Sequence, residues 1–165
     1  MRFITDMMLG RLARWLRLLG FDTLNGVVED DEILRVASQE GRILLTRDRD
    51  LFNSARRIDT RSYYIQSPYM DAQMLGLFRD LGMDNVELDP GKSRCAKCNG
   101  TTNKVDACQI SGEVPPKVKE YHQDFWACTK CGKIYWMGRH WENIEKEIND
   151  LNRKLCEESD DDGAG

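Results

Sequence analysis

The first 91 residues of this 165-residue chain contain no lysine, and their positive charge comes from twelve arginines set against fifteen acidic residues. A P-loop requires a lysine that contacts the phosphates, so this segment excludes that kind of nucleotide site. The chain has no apolar run of about 20 residues, the length needed to cross a bilayer, and its start has no apolar signal core. We therefore expect a cytoplasmic protein without membrane partners.

The residues after Gly91 have a different charge pattern. They carry twelve basic and thirteen acidic residues, and five of those acids lie in the tail after Cys156. Without the tail this part of the chain is basic. The net charge of −4 argues only weakly against nucleic-acid binding, because it does not exclude local basic faces.

Short apolar segments alternate with amphipathic helical segments four times in residues 1–90. The predicted strands are Phe3–Thr5, Phe21–Leu24, Ile43–Thr46 and Ser62–Ile65, and the predicted helices run over about residues 9–19, 30–40, 50–57 and 71–81. This alternation is typical of a Rossmann-like α/β domain, in which a parallel sheet is built with right-handed crossovers. Ligands of such sheets bind beyond the carboxyl ends of the strands.

Acidic residues follow two of these strands and begin the helix between them. They are Asp6, Asp30, Asp31, Asp48 and Asp50. Converging carboxylates repel one another, so a cluster of them often holds a hard cation such as Mg²⁺ or Mn²⁺. Such an ion can activate water and neutralise charge on a phosphodiester. The alternative is that these acids only cap the helices that follow them.

Three arginines recur on one side of the first predicted helix, opposite its apolar residues. They are Arg11, Arg14 and Arg17. Arginine next to a metal site suits phosphate, because its guanidinium donates two hydrogen bonds to one anion. A solvated helix face is the alternative interpretation.

Two matching Cys-x-x-Cys segments, Cys95–Cys98 and Cys128–Cys131, form the strongest motif in the chain. Two such turns predict one tetrahedral Zn²⁺ site, and its closed set of four sulfurs indicates a structural ion. A pair of redox dithiols is the alternative. We expect His122 and His140 to be structural, with a ligand or catalytic role as the alternative. The aromatic residues near them, Trp126 and Trp136 among them, either stack nucleic-acid bases or pack the module against the first domain.

Apolar residues recur at helical spacing near the end of the chain. They are Ile144, Ile148, Leu151 and Leu155. They predict a helix over about residues 142–155, whose apolar face packs on this chain or on a protein partner. Residues 157–165 form an acidic tail that we expect to be disordered. The predicted units are therefore residues 1–90, 91–141 and 142–165.

The segments Asp6–Gly20 and Leu44–Leu51 resemble two signatures of the Mut-seven C-terminal RNase family, and Asp30–Leu34 resembles the acidic helix start between them. The likeness includes the cysteine module, where that family carries a zinc ribbon. It implies a PIN-like fold, with metal ligands at Asp6, Asp30 and Asp48 and a further catalytic acid at Asp50. PIN-like sites often have another acidic or polar group after the fourth strand, where this chain has Gln66–Tyr69 and its next acid is Asp71.

Two functions follow from these patterns. The first is a metal-dependent ribonuclease that hydrolyses single-stranded RNA at an acidic Mg²⁺ or Mn²⁺ site, aided by a structural zinc ribbon. The second is a catalytically inactive module that binds RNA or a protein through that ribbon.

Overall fold

The computed structural model describes residues 1–110 and 114–159 of the chain. The first part contains four strands and four helices: β1 (Arg2–Thr5), α1 (Gly10–Leu18), β2 (Asp22–Asn25), α2 (Asp30–Glu40), β3 (Ile43–Thr46), α3 (Arg49–Arg57), β4 (Ser62–Tyr64) and α4 (Met70–Asp80). The second part contains β5 (Thr102–Val105), α5 (Pro116–Tyr121), β6 (Phe125–Cys128), β7 (Ile134–Trp136) and α6 (Arg139–Ser159).

The first four strands form one parallel sheet in the order β2-β1-β3-β4. The predicted α/β class and its four-stranded parallel sheet are thereby confirmed. The central strand β3 is buried along its whole length, as expected for an apolar strand that is covered on both faces. The carboxyl ends of all four strands lie at one edge of the sheet, which we call the acidic edge because Asp6 and Asp48 follow β1 and β3 there.

Helices cover both faces of this sheet, and adjacent side chains of β1 enter different cores. Phe3 belongs to a core with apolar residues of α1, α4 and α6, whereas Ile4 belongs to one with residues of α2 and α3. The face of α6 that carries Ile148 is buried in the first core. The apolar face of the C-terminal helix is therefore covered by this chain.

The second sheet is antiparallel, in the order β5-β6-β7. Phe125 of β6 is completely buried and forms a small core with Ile110 and Val114. Trp136 is half-buried against the same core, and Trp126 is 9% exposed. Trp136 therefore packs inside the cysteine module and not against the first domain, which corrects that expectation.

The end of the chain differs from the expectation. The helix begins at Arg139 and continues to Ser159, so the predicted disorder is wrong for its first three residues. The rest of the predicted tail, residues 160–165, lies outside the described residues. Within the described ranges, every helix is too short or too polar to cross a membrane.

Candidate functional site

Asp6 is held inside the acidic edge by its own hydrogen bonds. Only 7% of the residue is exposed, and it directly follows β1. Its Oδ1 accepts a hydrogen bond from the backbone N of Leu9 at 3.1 Å, which caps the short 3₁₀ turn Met7–Leu9. Its Oδ2 accepts from the backbone N of Arg47 at 2.8 Å. Both carboxylate oxygens are thereby oriented by neighbouring backbone.

Thr46, the last residue of β3, connects Asp6 to Asp48. Its completely buried hydroxyl donates to Asp6 Oδ2 at 2.6 Å and accepts from the backbone N of Asp48 at 2.9 Å. Sequence reasoning overlooked this residue. The signal in the sequence is that the apolar strand before Asp48 ends in a hydroxyl side chain, which can hydrogen-bond to a neighbouring acid.

Asp48 and Asp50 lie at the start of α3, and both are exposed. Asp48 caps the helix, since its Oδ1 accepts from the backbone N of Asp50 at 2.7 Å and from that of Leu51 at 3.0 Å. The positive end of the helix dipole favours carboxylates at this position. The capping role considered for Asp48 is confirmed, and it leaves Oδ2 of that carboxylate outside the cap.

Asp30 shares the electrostatic field of these acids. It is the first residue of α2, after Glu29 in extended conformation, so neither Asp30 nor Asp31 is the cap residue that we considered. Desolvation, then the negative charges of Asp48, Asp31, Glu29 and Asp6, raise the pKa of Asp30. A raised pKa means that the carboxylate form is destabilised, and a nearby cation would relieve that repulsion.

The donor chemistry of the acidic edge suits a hard divalent cation, because carboxylate oxygens are the ligands that Mg²⁺ prefers. The spacing is wider than in a preformed cage. Among the residues that the structure describes, the four cysteines are the one group of three or more acidic, histidine or cysteine ligands whose donor atoms all lie within 4.8 Å of one another.

The three arginines of α1 have different surroundings. Arg11 and Arg14 are exposed, whereas Arg17 is 7% exposed. The guanidinium of Arg17 donates to the backbone O of Thr23 at 2.9 Å and to that of Ala96 at 3.0 Å. The prediction that Arg17 contacts nucleic acid is therefore not carried further, because this side chain is occupied inside the protein.

Another arginine, absent from the sequence prediction, lies near the acidic edge. Arg49 begins α3, and its guanidinium lies 5.2 Å from the ring centroid of Tyr64, at the end of β4. The exposed side chains of Met7 and Met8 follow Asp6 directly. A cationic side chain and two exposed apolar side chains therefore lie next to the acids of the acidic edge.

The four cysteine sulfurs have the spacing of a tetrahedral metal site. The sulfurs of Cys95 and Cys131 lie 3.6 Å apart, and those of Cys98 and Cys128 lie 3.4 Å apart. Four sulfurs about 2.3 Å from a central Zn²⁺ would be separated by about 3.8 Å. The cluster could therefore hold an ion such as zinc. The two histidines lie outside this group.

Tyr135 of β7 is a further polar neighbour of the cluster that sequence reasoning did not identify. Its hydroxyl lies 3.1 Å from the sulfur of Cys95. Burial raises the pKa of Cys95, but the hydrogen bonds from Tyr135 and the backbone outweigh it and lower that pKa to about 6. Thiolate is the form that binds metal, so the surroundings of Cys95 favour coordination.

Comparison with known families gives one finding. The family model of the Mut7-C RNAse domain matches residues 1–148, which include the parallel sheet, the cysteine cluster and the first half of α6. No curated protein and no solved structure matches the chain.

Proposed function

The chain belongs to the Mut7-C RNAse domain family, and we propose that it is a metal-dependent ribonuclease whose active site is the acidic edge. The observation that carries this proposal is the bridge from Asp6 through Thr46 to Asp48. It holds two acids at adjacent strand ends, where parallel sheets bind ligands. We propose a PIN-like domain over residues 1–90 and a zinc ribbon over residues 91–141, with the C-terminal helix closing the nuclease core.

In this proposal Asp6, Asp30 and Asp48 hold Mg²⁺ or Mn²⁺, and Asp50 is a further catalytic acid beside them. When bound, the ion supplies Lewis-acid activation of the phosphodiester and offsets the charge of the acids. The raised pKa of Asp30 supports a cation at this edge. Hydrolysis adds one water across a P–O bond, and the buried carboxylate of Asp6 keeps its orientation throughout because both oxygens are hydrogen-bonded.

We assign RNA binding to the exposed groups around the acids. Arg11 and Arg14 extend from α1 into solvent, and guanidinium groups bind phosphate through paired hydrogen bonds. Met7 and Met8 are exposed next to Asp6 and offer apolar contact to the faces of unpaired bases. Single-stranded RNA is therefore the proposed substrate.

We assign the four cysteines to structural zinc, since a complete set of four sulfurs leaves no position for substrate. Exposed lysines surround the cluster and provide a second surface for phosphate. They are Lys97, Lys130 and Lys133. Lys104 is a weaker candidate because it pairs with Asp124 at 2.6 Å.

The wide spacing of the carboxylates favours a second candidate function. In that alternative the acidic edge is catalytically inactive, and the protein binds RNA or another protein through the cysteine module. The two functions differ in whether RNA is cleaved.

The test incubates single-stranded RNA and Mn²⁺ with the wild type and with Asp30→Asn and Asp48→Asn. These acids are exposed, so both variants should fold, as circular dichroism can verify. Asp80→Asn is the matched control, since α4 ends there at the opposite edge of the sheet. We expect both site variants to lose cleavage and the control to retain it. Cleavage by both site variants would refute the proposed active site, and RNA binding without cleavage by the wild type would favour the second function.

A further inference from the structure

The first cysteine turn closes the free edge of the parallel sheet. Strand β2 is the outermost strand and pairs only with β1 among the described strands. Its residue Thr23 is nevertheless completely buried. The backbone N of Thr23 donates to Oδ1 of Asn99 at 3.0 Å, and its backbone O accepts from Nε of Arg17 at 2.9 Å. An edge that would otherwise be open is thus satisfied by residues outside the sheet.

Asn99 has a backbone conformation that favours glycine. It is the residue after Cys98 and has φ +64°. The equivalent residue of the second cysteine turn is Gly132, with φ +71° and open space where a side chain would begin. Glycine adopts this conformation without the steric cost that other residues bear. The turn itself therefore does not require asparagine, and the side chain of Asn99 needs another explanation.

That explanation is the contact between Asn99 and β2. Besides accepting from Thr23, the amide donates from Nδ2 to Oδ1 of Asp22 at 2.7 Å. Asn99 is 6% exposed. Its hydrogen bond with Thr23 is buried and the one with Asp22 is partly buried, and a low local dielectric strengthens such bonds. Asn99 is a connection between the cysteine turn and two consecutive residues of the edge strand.

Arg17 makes the same connection in the opposite direction. Its Nη1 donates to the backbone O of Ala96 and of Lys97, the two residues between the first pair of cysteines. The backbone N of Arg94 returns a hydrogen bond to the backbone O of Arg17 at 2.8 Å. The conformation of this cysteine turn therefore sets the positions of the backbone oxygens that accept from Arg17 and of the Asn99 side chain that accepts from Thr23. An ion bound by the cysteines would fix that conformation.

The same edge strand ends at the proposed active site. Nδ2 of Asn25, the last residue of β2, donates to Oγ1 of Thr5 at 2.9 Å and to the backbone O of Asp6 at 2.8 Å. A hydrogen-bonded route thus runs from the cysteine turn through Asn99 and β2 to the backbone of Asp6.

We propose that Asn99 and Arg17 couple ion binding at the four cysteines to the order of β2 and, through Asn25, to the position of Asp6. This inference rests on the proposed zinc site. Asn99 is then a positioning residue, and loss of the ion loosens the acidic edge from a distance while the opposite side of the sheet keeps its order.

Hydrogen exchange of the full-length protein tests this coupling, with Zn²⁺ bound and after chelation. We expect removal of zinc to accelerate amide exchange in β2 about tenfold or more, the effect of losing one or two buried hydrogen bonds, with a smaller change in β4. Equal acceleration in β2 and β4 would overturn the proposal, because zinc would then stabilise the whole fold. Unchanged exchange in β2 would overturn it as well.

Variants at the two cysteine turns isolate the contact. Asn99→Gly keeps the left-handed turn and removes the side chain, so β2 should exchange rapidly even with zinc bound. Gly132→Asn places the same side chain at the equivalent turn without removing that contact, so exchange in β2 should match the wild type. Slow zinc-bound exchange in Asn99→Gly would refute the role of Asn99.

A rescue experiment separates positioning from general damage. Asn99→Asp puts a second carboxylate next to Asp22 and should accelerate exchange in β2. In an Asp22→Asn background, Asn99→Asp again pairs one amide with one carboxylate, with the amide now at position 22. Exchange in β2 should therefore be little faster than in Asp22→Asn alone. Equal acceleration in both backgrounds would refute the contact. Metal analysis of the same samples distinguishes the two proposals: protein without zinc refutes the zinc site, whereas zinc bound with β2 unresponsive refutes only the coupling.

Discussion

Replacing Thr46 with valine tests whether the bridge between Asp6 and Asp48 stabilises the acidic edge. Valine has nearly the same shape as threonine, so Thr46→Val removes the hydroxyl without opening a cavity. Oδ2 of Asp6 then loses its 2.6 Å donor, and the backbone N of Asp48 loses its 2.9 Å acceptor. Thr46 is completely buried, so water does not replace either lost hydrogen bond.

The expected cost follows from these two hydrogen bonds. A hydrogen bond to a charged group contributes about 1.5–3 kcal/mol to stability, and one between neutral groups contributes about 1 kcal/mol. Asp6 keeps the donor from Arg47, which limits the loss on that side. We therefore expect Thr46→Val to lower the free energy of unfolding by about 2–3 kcal/mol. Thr46→Ser keeps the hydroxyl, and its missing methyl group should cost about 1 kcal/mol.

Urea unfolding at pH 7, followed by circular dichroism, measures the difference between the two variants. An unchanged denaturant slope would show that only stability has changed. A Thr46→Val variant as stable as Thr46→Ser, to within about 0.5 kcal/mol, would refute the role of the hydroxyl. Combining Thr46→Val with Asp6→Ala, which removes both acceptor oxygens, completes the cycle, and we expect the two effects to be less than additive because both remove the same contact.

Three further predictions concern the surroundings of the site. Burial raises the pKa of Asp22, but hydrogen bonds from Arg42 and Asn99 outweigh it and hold that pKa at about 2. The carboxylate therefore stabilises the fold by about 2 kcal/mol above about pH 4, and this contribution is lost as the pH falls toward 2. Urea unfolding at pH 6 and pH 3 should show this loss in the wild type and not in Asp22→Asn. Metal analysis should find about one zinc per chain, and Cys128→Ser should lower both zinc content and melting temperature; zinc-free wild-type protein would contradict the site. Ile148→Ala should cost about 2–4 kcal/mol because α6 belongs to the core of the parallel sheet, whereas a loss below 1 kcal/mol would show that the helix is only peripheral.

The parallel sheet could be predicted from sequence because its signals are local. The run Ile43–Leu45 is apolar at every position, and the structure buries all of it. The helices between strands have an apolar face with a helical period, and glycine follows two of them: Gly41 directly after α2 and Gly20 two residues after α1. Each of these signals lies within about ten residues of the element that it predicts.

The contacts between distant segments could not be predicted in the same way. The helical period places Arg17 with Arg11 and Arg14, yet two of the backbone oxygens that accept from its guanidinium lie about 80 positions later in the chain. The apolar stripe of α6 is visible in the sequence, but the surface that it covers is set largely by α4. The link through Thr46 was missed because a threonine that ends a strand has no periodic signal.

The absence of lysine from the first 91 residues acquires a structural meaning from two buried arginines. Arg17 donates to backbone carbonyls on both sides of the contact between the cysteine turn and β2. Arg42, 5% exposed, donates to the backbone O of Phe3 and to the carboxylates of Asp22 and Glu40. One planar guanidinium reaches several acceptors in different directions, whereas a lysine ammonium is a single point charge. Under the proposed function arginine in this segment therefore serves two purposes, since Arg11 and Arg14 are exposed and would bind phosphate. Arg17 and Arg42 hold the sheet together, and a lysine at either buried position would leave carbonyls without donors.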